Sequence, residues 1–544
     1  MKNSIWFASA CGLFASPVFA QSALDRVTPR DASVAIPAAT GDASQLPTEV
    51  ENKSRTVQLQ GEQILIGAVS ISGLESLQPS EFADIISDYV GKTAGPNDLA
   101  VLTDRLAQRA RDRGFVFATA QIAPQRLSLG VLTVLLDEGR VDAVRLDGSQ
   151  NTAVKAALAG LTEGPVKLER LERALLLADD IDGIQIGRSR LLRENGQRVL
   201  VVEVTEDRAS ADVSLRNDGT RPIGREKVYI SAVLSQLLDA DDSVTFGYAG
   251  TSFEPGELQY GRVRYEKRLN ASGTEATASF SYSLVRPGAY LSQYDIEGRA
   301  WSANIGLLQP VHRTRQSSLW LTANLEVNRL KQTGSGRLFR RDRTTVLRLG
   351  AYGYHNALGG RIRGGAVVSR GLDLFDATEA RNLLASRYDA DGTFTSLSLW
   401  GQWTGELVPR VSLQVSASGQ LASESLLVGE ELGLGGGAYL RGYDWSERLG
   451  DRGAMGYAEL RYDFNLPPGF LKRAQVYGFA DAGEVSNLDD GFGGGSLASA
   501  GGGLRLGLRN TLNVSLEVAQ PLTGPRYDTG DRQPRVNFGI NANL

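Results

Sequence analysis

The pattern of hydrophobic and polar residues changes at about residue 209 of the 544-residue chain. Before this point, short apolar runs alternate with segments whose apolar residues recur at helical spacing. After it, apolar and polar residues alternate one by one, most clearly in residues 512–518 (LNVSLEV). A period of 3.6 predicts amphipathic helices, and a period of two predicts strands with one face in each environment. The chain is therefore predicted to hold an α+β region followed by a long all-β region.

The α+β region contains two consecutive units with the order strand, helix, helix, strand, strand, at residues 62–139 and 140–208. The second helix of the first unit carries Leu99, Leu102, Leu106 and Ala110 on one face. Asn97 or Asp98 is its expected N-cap, and Gly114 is expected to end it. A hairpin is predicted in the second unit around Glu194-Asn195-Gly196-Gln197. A βααββ unit that occurs twice in succession indicates an internal repeat.

The last strand of each unit is a candidate edge to which an extended peptide could add main-chain hydrogen bonds. These two strands give the candidate client-binding residues Leu132, Val134, Leu136, Val199 and Val201. The alternative, that both strands lie inside their sheets and only pack, fits the sequence equally well.

The all-β region spans 336 residues, from 209 to 544. A strand that crosses a membrane needs about 9–11 residues, so with turns and loops this length predicts roughly 16 antiparallel strands. Polar residues such as Glu517 would face the core of a soluble sandwich or propeller, where they would be costly to bury. In a water-filled lumen they carry no such cost. The predicted fold class is therefore a membrane β-barrel, preceded by the two βααββ domains.

The N-terminus indicates export. Residues 1–20 have a basic start, an apolar stretch and Val18-Phe19-Ala20 as a small-residue end, which is typical of a signal peptide. Residues 21–61 are polar and contain three prolines, which predicts a linker that could carry a short helix near residues 22–30. We expect no cofactor.

The rare residues exclude several kinds of chemistry. Cys11 is the only cysteine and lies in the predicted signal peptide, which excludes disulfides and thiolate chemistry from the mature chain. His312 and His355 are the only histidines, too few for a multi-histidine metal site, and no Gly-x-Ser-x-Gly elbow accompanies them. The net charge of −4 gives no support for nucleic-acid binding. An enzyme is therefore not expected.

Two motifs in the all-β region indicate a loop held inside the barrel. Leu440-Arg441-Gly442-Tyr443 lies between two predicted strands, and Phe479-Ala480-Asp481-Ala482-Gly483 lies on a strand. An arginine offers a planar fork of donors that a carboxylate can accept. The pairing of Arg441 with Asp481 would fix the loop to the wall, with Gly442 allowing close backbone approach. The alternative is that one motif is an ordinary turn and the other an ordinary luminal strand.

These motifs resemble those of a known family. The two βααββ units resemble POTRA domains, the first through Arg113-Gly114-Phe115, Pro124-Gln125 and Glu138-Gly139-Arg140-Val141, and the second through Leu171-Glu172-Arg173-Ala174-Leu175 and Asp182-Gly183. Arg216-Asn217-Asp218-Gly219 is similar to a first-strand motif, and Leu308-Gln309-Pro310 with Arg313-Thr314-Arg315 to a later strand motif. The Leu440–Tyr443 and Phe479–Gly483 motifs are similar to the tip of the sixth extracellular loop and to the strand that receives it.

Two POTRA units before a barrel resemble the two-partner secretion transporters, of the haemolysin-activator and filamentous-haemagglutinin-exporter type, within the outer-membrane assembly superfamily. This resemblance implies an outer-membrane protein translocase with periplasmic POTRA domains that bind a secreted exoprotein. It also implies contact with outer-membrane lipid, and periplasmic chaperones and barrel-assembly machinery for its own insertion. Two departures are the absence of a strong plug helix in the N-terminal segment and a final Leu544 where many such barrels end in an aromatic residue.

The resemblance leaves two alternatives to export. One is a barrel-assembly factor, which would insert other outer-membrane proteins. The other is a passive porin or receptor, whose conductance would tolerate the loss of Arg441.

Overall fold

The computed structural model describes residues 48–50, 63–123, 125, 130–489, 491–509 and 511–544. They fall into two compact units, one formed within residues 43–207 together with 313–315, and the other by residues 208–312 and 316–544. The predicted signal peptide and the short helix near residues 22–30 lie outside the described residues. Among the residues that are described, no helix is both long and apolar enough to cross a membrane.

The smaller unit contains both βααββ modules. Its elements in chain order are β1 Thr48–Val50, β2 Ile64–Leu65, β3 Ala68–Ser72, a 3-10 turn Pro79–Phe82, α1 Ala83–Ser87, β4 Thr93–Ala94, α2 Pro96–Asp112, β5 Thr119–Gln121, β6 Val131–Asp137, β7 Ala143–Asp147, α3 Thr152–Ala159, a 3-10 turn Gly160–Thr162, α4 Leu168–Asp179, β8 Ile184–Glu194 and β9 Gln197–Glu206. Each module buries its own hydrophobic core between helices and sheet.

Helix α2 illustrates how the local sequence determines the buried face and the ends of a helix in these modules. Its predicted apolar face is buried in the core of the first module. The N-cap prediction is wrong by two or three residues, because the cap is Gly95 and Pro96 occupies the first helical position. Proline suits that position, since its missing N–H would have no partner there. The Asp98 carboxylate instead accepts the Gly95 N–H at 2.9 Å. Gly114 follows the helix with φ of +93°, as expected for a helix end.

The predicted client-binding edges are wrong. The first module's sheet has the order β3-β6-β5 and the second has β1-β8-β9-β7, so β6 and β9 are both central strands. The helical crossover brings the first strand of each module parallel to its last strand, on the side opposite the hairpin partner. The five candidate side chains are buried, with exposed fractions between 0% and 8%: Leu132, Val134, Leu136, Val199 and Val201. Leu132, Val134 and Leu136 belong to the core of the first module, Val199 and Val201 are buried on the central strand β9, and none of the five lies at a free edge.

The outer edge of β8 is also occupied. Within the segment predicted as a linker, β1 pairs in parallel with β8, in the register Thr48↔Ser189 to Val50↔Leu191. The second module's sheet therefore has four strands, and β7 is its other outermost strand.

The larger unit is a closed antiparallel barrel of 16 strands, which confirms the predicted fold class. Its strands are β10 Ala209–Arg216, β11 Lys227–Ser235, β12 Asp242–Thr251, β13 Leu258–Arg268, β14 Glu275–Val285, β15 Ile296–Arg313, β16 Ser317–Gly334, β17 Arg337–Ala357, β18 Gly360–Gly371, β19 Thr395–Val408, β20 Val411–Ala422, β23 Arg452–Asp463, β24 Leu471–Ser486, β25 Gly495–Leu508, β26 Leu512–Pro521 and β27 Arg535–Asn543. Pairing of β10 with β27 closes the barrel.

The alternation along these strands separates two environments. On β26, Leu516 and Val518 are exposed on the outer wall, while Glu517 lies inside the lumen and forms an ion pair there. The longest loops, residues 372–394 and 423–451, lie at one rim, which also carries the short β16–β17 turn; in barrels of this kind the rim with the long loops is extracellular and the other is periplasmic.

The longest of these loops, residues 423–451, joins β20 to β23 and folds back into the barrel. It contains a 3-10 turn at Val428–Glu430 and a small hairpin formed by β21 Leu432–Leu434 and β22 Arg448–Gly450. We call residues 423–451 the inward loop. Its residues Leu434, Leu440 and Tyr443 pack against Val485 and Leu497 of the barrel wall.

Candidate functional site

The tip of the inward loop is buried against the inner wall. Leu440 and Tyr443 are fully buried, and only 6% of the Arg441 side chain is exposed. A tight turn forms the tip, in which the Tyr443 N–H donates to the Leu440 carbonyl at 2.9 Å. Leu440 has φ of +57°, a left-handed conformation that is costly for a side chain of its size. The surrounding contacts must offset this strain.

The guanidinium of Arg441 binds two glutamates. Its Nη1 lies 2.6 Å from Glu459 Oε2 on β23 and 3.1 Å from Glu517 Oε2 on β26. The nearest approach to Asp481 is 3.8 Å, from Nε. The predicted fork between Arg441 and Asp481 is therefore wrong in its geometry, although the two motifs do meet.

Asp481 binds the backbone of the tip. Its Oδ2 accepts the main-chain N–H of Arg441 at 3.1 Å, and its Oδ1 accepts the hydroxyl of Ser499 on β25. The Ser499 hydroxyl oxygen in turn accepts the N–H of Gly442 at 3.1 Å. A short aspartate can reach the chain where it turns, while the longer arginine side chain extends past it to the neighbouring strands. Asp481 thus fixes the conformation of the tip.

Two aromatic rings contact the guanidinium of Arg441. Its central carbon lies 3.9 Å from the centre of the Phe479 ring and 4.8 Å from the centre of the Tyr457 ring. Such contacts favour a planar, weakly hydrated cation, which makes arginine a better fit than lysine here. Phe479, predicted as part of the receiving motif, therefore contacts the loop directly.

Glu459 is the centre of a balanced charge cluster. Besides Arg441, it accepts hydrogen bonds from Arg461 at 2.6 Å and from Arg505 at 2.7 Å. Three arginines thus face the carboxylates of Glu459, Glu517 and Asp481. Because the loop supplies one of the three positive charges, its departure would leave the wall with an excess negative charge.

Two glycines in the predicted motifs permit this close approach. A Cβ atom at Gly442 would lie 2.9 Å from the Ser499 Cβ and 3.0 Å from the Pro521 nitrogen. One at Gly483 would lie 3.0 Å from Leu434 Cδ2 of the inward loop. By contrast, a Cβ at Gly437, also in the inward loop, would have its nearest neighbour, an oxygen of Asp218, at 3.9 Å.

The Tyr443 hydroxyl ties the tip to the last extracellular loop. It lies 2.8 Å from the Thr523 hydroxyl and donates to the Gly524 carbonyl at 3.3 Å. One residue further along, the Asp444 carboxylate accepts a hydrogen bond from Arg535 of β27 at 2.9 Å. Tyr443 and Asp444 therefore hold the inward loop to the last extracellular loop and to the strand that closes the barrel.

A second anchor lies nearer the start of the inward loop. Arg348 of β17 donates to both carboxylate oxygens of Glu430 at 3.0 Å and to Glu326 of β16 at 3.0 Å. All three side chains are nearly buried. Neither these three residues nor Glu459 was predicted from the sequence. A charged residue at a luminal position of an alternating strand is the signal that could have pointed to Glu459 and Arg348.

Comparison with known proteins agrees with this architecture. The family described as haemolysin secretion/activation protein ShlB/FhaC/HecB matches residues 195–506, and the ShlB-type POTRA domain matches residues 64–139. The heme/hemopexin transporter protein HuxB of Haemophilus influenzae is 22% identical over 81% of this chain and 80% of its own length. The outer membrane transporter CdiB of Escherichia coli is 24% identical over 82% of this chain and 77% of its own length.

Solved structures show the same fold. Escherichia coli CdiB superimposes with a TM-score of 0.72 at 20% identity, over 91% of this chain and 93% of that one. BamA of Haemophilus ducreyi, in a form lacking POTRA domains 1–3, superimposes with a TM-score of 0.54 at 12% identity, over 89% of this chain and 100% of that one. Because the family match covers more than half of the chain and includes the inward loop, this protein belongs to the ShlB/FhaC/HecB family of outer-membrane haemolysin secretion/activation proteins.

Proposed function

We propose that this protein exports one large exoprotein, in unfolded form, from the periplasm to the cell surface through its barrel. The family is one of secretion/activation proteins with POTRA domains in the periplasm. The observation that carries the proposal for this chain is the inward loop, which occupies the lumen and is anchored through Arg441. A loop held in this way closes the resting pore and, docked through Arg441, holds the barrel in the conformation from which transport starts, so that each transport event needs the loop first to dock and then to be released.

The chemistry of the anchor suits a loop that must be released. The tip is held by ion pairs and hydrogen bonds, and only a small apolar cluster supports them. Polar contacts in a wet lumen can be exchanged for water at a modest net cost, because water replaces each lost partner. The wall keeps Arg461 and Arg505 on Glu459 when the loop leaves, so that carboxylate stays partly neutralised.

The POTRA modules bind the client, and the order of the strands in their sheets restricts where the client can bind. An unfolded segment can add to a sheet only at an outermost strand. The central strands β6 and β9 cannot serve, and the outer edge of β8 already pairs with β1. We therefore place the contact with the client at one of the outermost strands, β1, β3, β5 or β7. The periplasm holds no ATP, so folding of the client outside the cell would give the transport its direction.

The test is secretion by a strain that lacks this protein, with and without a plasmid copy. A candidate large β-rich exoprotein is co-expressed, and its amounts in medium and periplasm are compared. Export that depends on the plasmid copy, with normal levels of unrelated outer-membrane barrels, is the expected result. A general loss of barrels would instead indicate an assembly factor. Export that is unaffected, with a large stable conductance that survives Arg441→Ala, would indicate a passive pore.

The remaining partners stay predictions. Insertion of the barrel by periplasmic chaperones and the barrel-assembly machinery rests on the family resemblance alone, and the absence of enzymatic activity stays an expectation from the rare residues of the sequence.

A further inference from the structure

The outer wall of the barrel carries a ladder of four cations at its extracellular end. In the pairing of β16 with β17, Arg329 lies directly opposite Arg343, and Lys331 directly opposite Arg341. We call these four residues the basic ladder. Like charges directly opposite each other on antiparallel strands are destabilising, so two successive pairs of this kind require a compensating anion.

The register places the ladder on the lipid-facing side of the wall. Counting down the same face by twos leads to the pairs Leu325↔Leu347 and Leu321↔Ala351, in which Leu321 and Leu347 are exposed on the outer surface. The opposite face carries Glu326, which ion-pairs with Arg348 inside the barrel. The basic ladder therefore faces the lipid and not the lumen through which protein would pass.

An aromatic pair marks the depth of the ladder in the membrane. Trp301 and Phe280 lie on the outer wall, with ring centres 6.3 Å apart, and the guanidinium of Arg329 lies 5.8 Å from the centre of the Trp301 ring. Exposed aromatic residues gather at the level of lipid headgroups in such barrels. The ladder lies immediately beyond this level, towards the end of the β16–β17 hairpin.

The neighbouring loop adds one carboxylate and an apolar surface. Asp376, in the loop of residues 372–394, ion-pairs with Arg343 at 3.0 Å, which sets one negative charge against four positive charges. The carbonyl oxygen of Phe375 accepts a hydrogen bond from Arg329, and the backbone of Phe375 has φ of +54°. Its side chain is 64% exposed. Leu374 beside it is 47% exposed. The surface therefore combines clustered cations with exposed apolar side chains.

We propose that the basic ladder binds the phosphate group of a phosphorylated glycolipid in the outer leaflet of the outer membrane. Arginine pairs with phosphate through strong, directional hydrogen bonds. A bound phosphate would relieve the repulsion within both cross-strand pairs. Leu374 and Phe375 would contact the apolar part of the same lipid, which a small soluble anion could not use.

The test measures lipid binding by the purified full-length protein. Mixed micelles contain either phosphorylated lipid A or the same lipid after enzymatic dephosphorylation, and native mass spectrometry counts the bound lipid. The test variant is Lys331→Gln with Arg341→Gln. The matched control is Arg410→Gln with Lys472→Gln, which removes two exposed cations at the opposite rim. Heat-modifiable gel mobility checks that each barrel is folded.

We expect the wild type to bind the phosphorylated lipid more tightly than the dephosphorylated one. The test variant should bind the phosphorylated lipid roughly 10- to 30-fold more weakly than the wild type, because it lacks the attraction of two cations to an anionic headgroup. The control variant should bind as the wild type does. Equal binding of both lipid forms by the wild type would overturn the proposal, and this arm needs no variant. So would unchanged affinity in the folded test variant. Competition by inorganic phosphate alone, at concentrations equal to the lipid, would show a site for a free anion and would equally overturn it.

Discussion

The geometry of the loop tip makes Glu459, rather than Asp481, the main electrostatic partner of the Arg441 side chain. A double-mutant cycle can measure this difference. The variants are Arg441→Gln, Glu459→Gln and Asp481→Asn, with the two double variants that combine Arg441→Gln with each of the others. Each change removes a charge; the two acid-to-amide changes keep the size of the side chain, and Arg441→Gln also shortens it.

The structure sets the expected magnitudes. The Arg441–Glu459 contact is a 2.6 Å charged hydrogen bond between side chains that are 6% and 1% exposed. Charged hydrogen bonds contribute about 1.5–3 kcal/mol. Since Arg461 and Arg505 remain on Glu459, we expect a coupling of about 2 kcal/mol, roughly a 30-fold change in an opening constant. Asp481 is 3.8 Å from the guanidinium and binds the backbone, so its coupling to the side chain should be about half as large or less.

The assay is hydrogen exchange of the tip amides, measured by mass spectrometry on the protein in detergent micelles. The N–H groups of Arg441 and Gly442 donate to side chains of the wall, so their protection reports docking of the tip. Coupling energies follow from the exchange rates of the single and double variants. A coupling of Arg441 to Asp481 that equals or exceeds its coupling to Glu459 would refute this reasoning.

Three further changes test other parts of the site. Gly442→Ala should undock the tip and reduce export, because its Cβ would clash with the wall, whereas Gly437→Ala should export normally; equal export by both, measured in the culture medium, would contradict the packing argument. Arg348→Gln should raise hydrogen exchange near Glu430 by roughly 10-fold or more, since it removes a buried pair of charged hydrogen bonds, and unchanged exchange would exclude this anchor. Burial raises the pKa of Glu257, in an extracellular loop, to about 7 from its ordinary 4.5. The folded loop thus holds the proton more tightly, so its stability should fall as the pH rises from about 4.5 through 7. Amide exchange of the loop, corrected for the intrinsic pH dependence of exchange, should therefore become faster over this range in the wild type but not in Glu257→Gln.

The strands and helices follow from local sequence, which explains why they could be predicted. Alternation along a barrel strand reflects the lipid on one side and water on the other, so that each strand carries its own signal. The same holds for α2, whose apolar face was predicted and is buried. Family resemblance added the loop motif and the strand that receives it.

The pairings could not be read from local sequence. That β6 and β9 are central depends on a strand far back along the chain that pairs with each of them in parallel, on the side opposite its hairpin partner. The partners of Arg441 come from β23 and β26, and the left-handed Leu440 directs the chain so that the side chain passes Asp481. An aspartate and an arginine in two matching motifs indicate proximity, but which atoms meet depends on backbone geometry.

The central claim, that docking of the inward loop through Arg441 is required for export, is tested most directly by comparing Arg441→Ala with Arg461→Ala. Both variants remove one arginine from Glu459, but only Arg441 belongs to the loop. The measurement is the amount of exoprotein secreted into the medium, with folding of each barrel checked by heat-modifiable mobility. We expect Arg441→Ala to lose export in a folded barrel while Arg461→Ala retains it. Normal export by a folded Arg441→Ala protein would contradict the account.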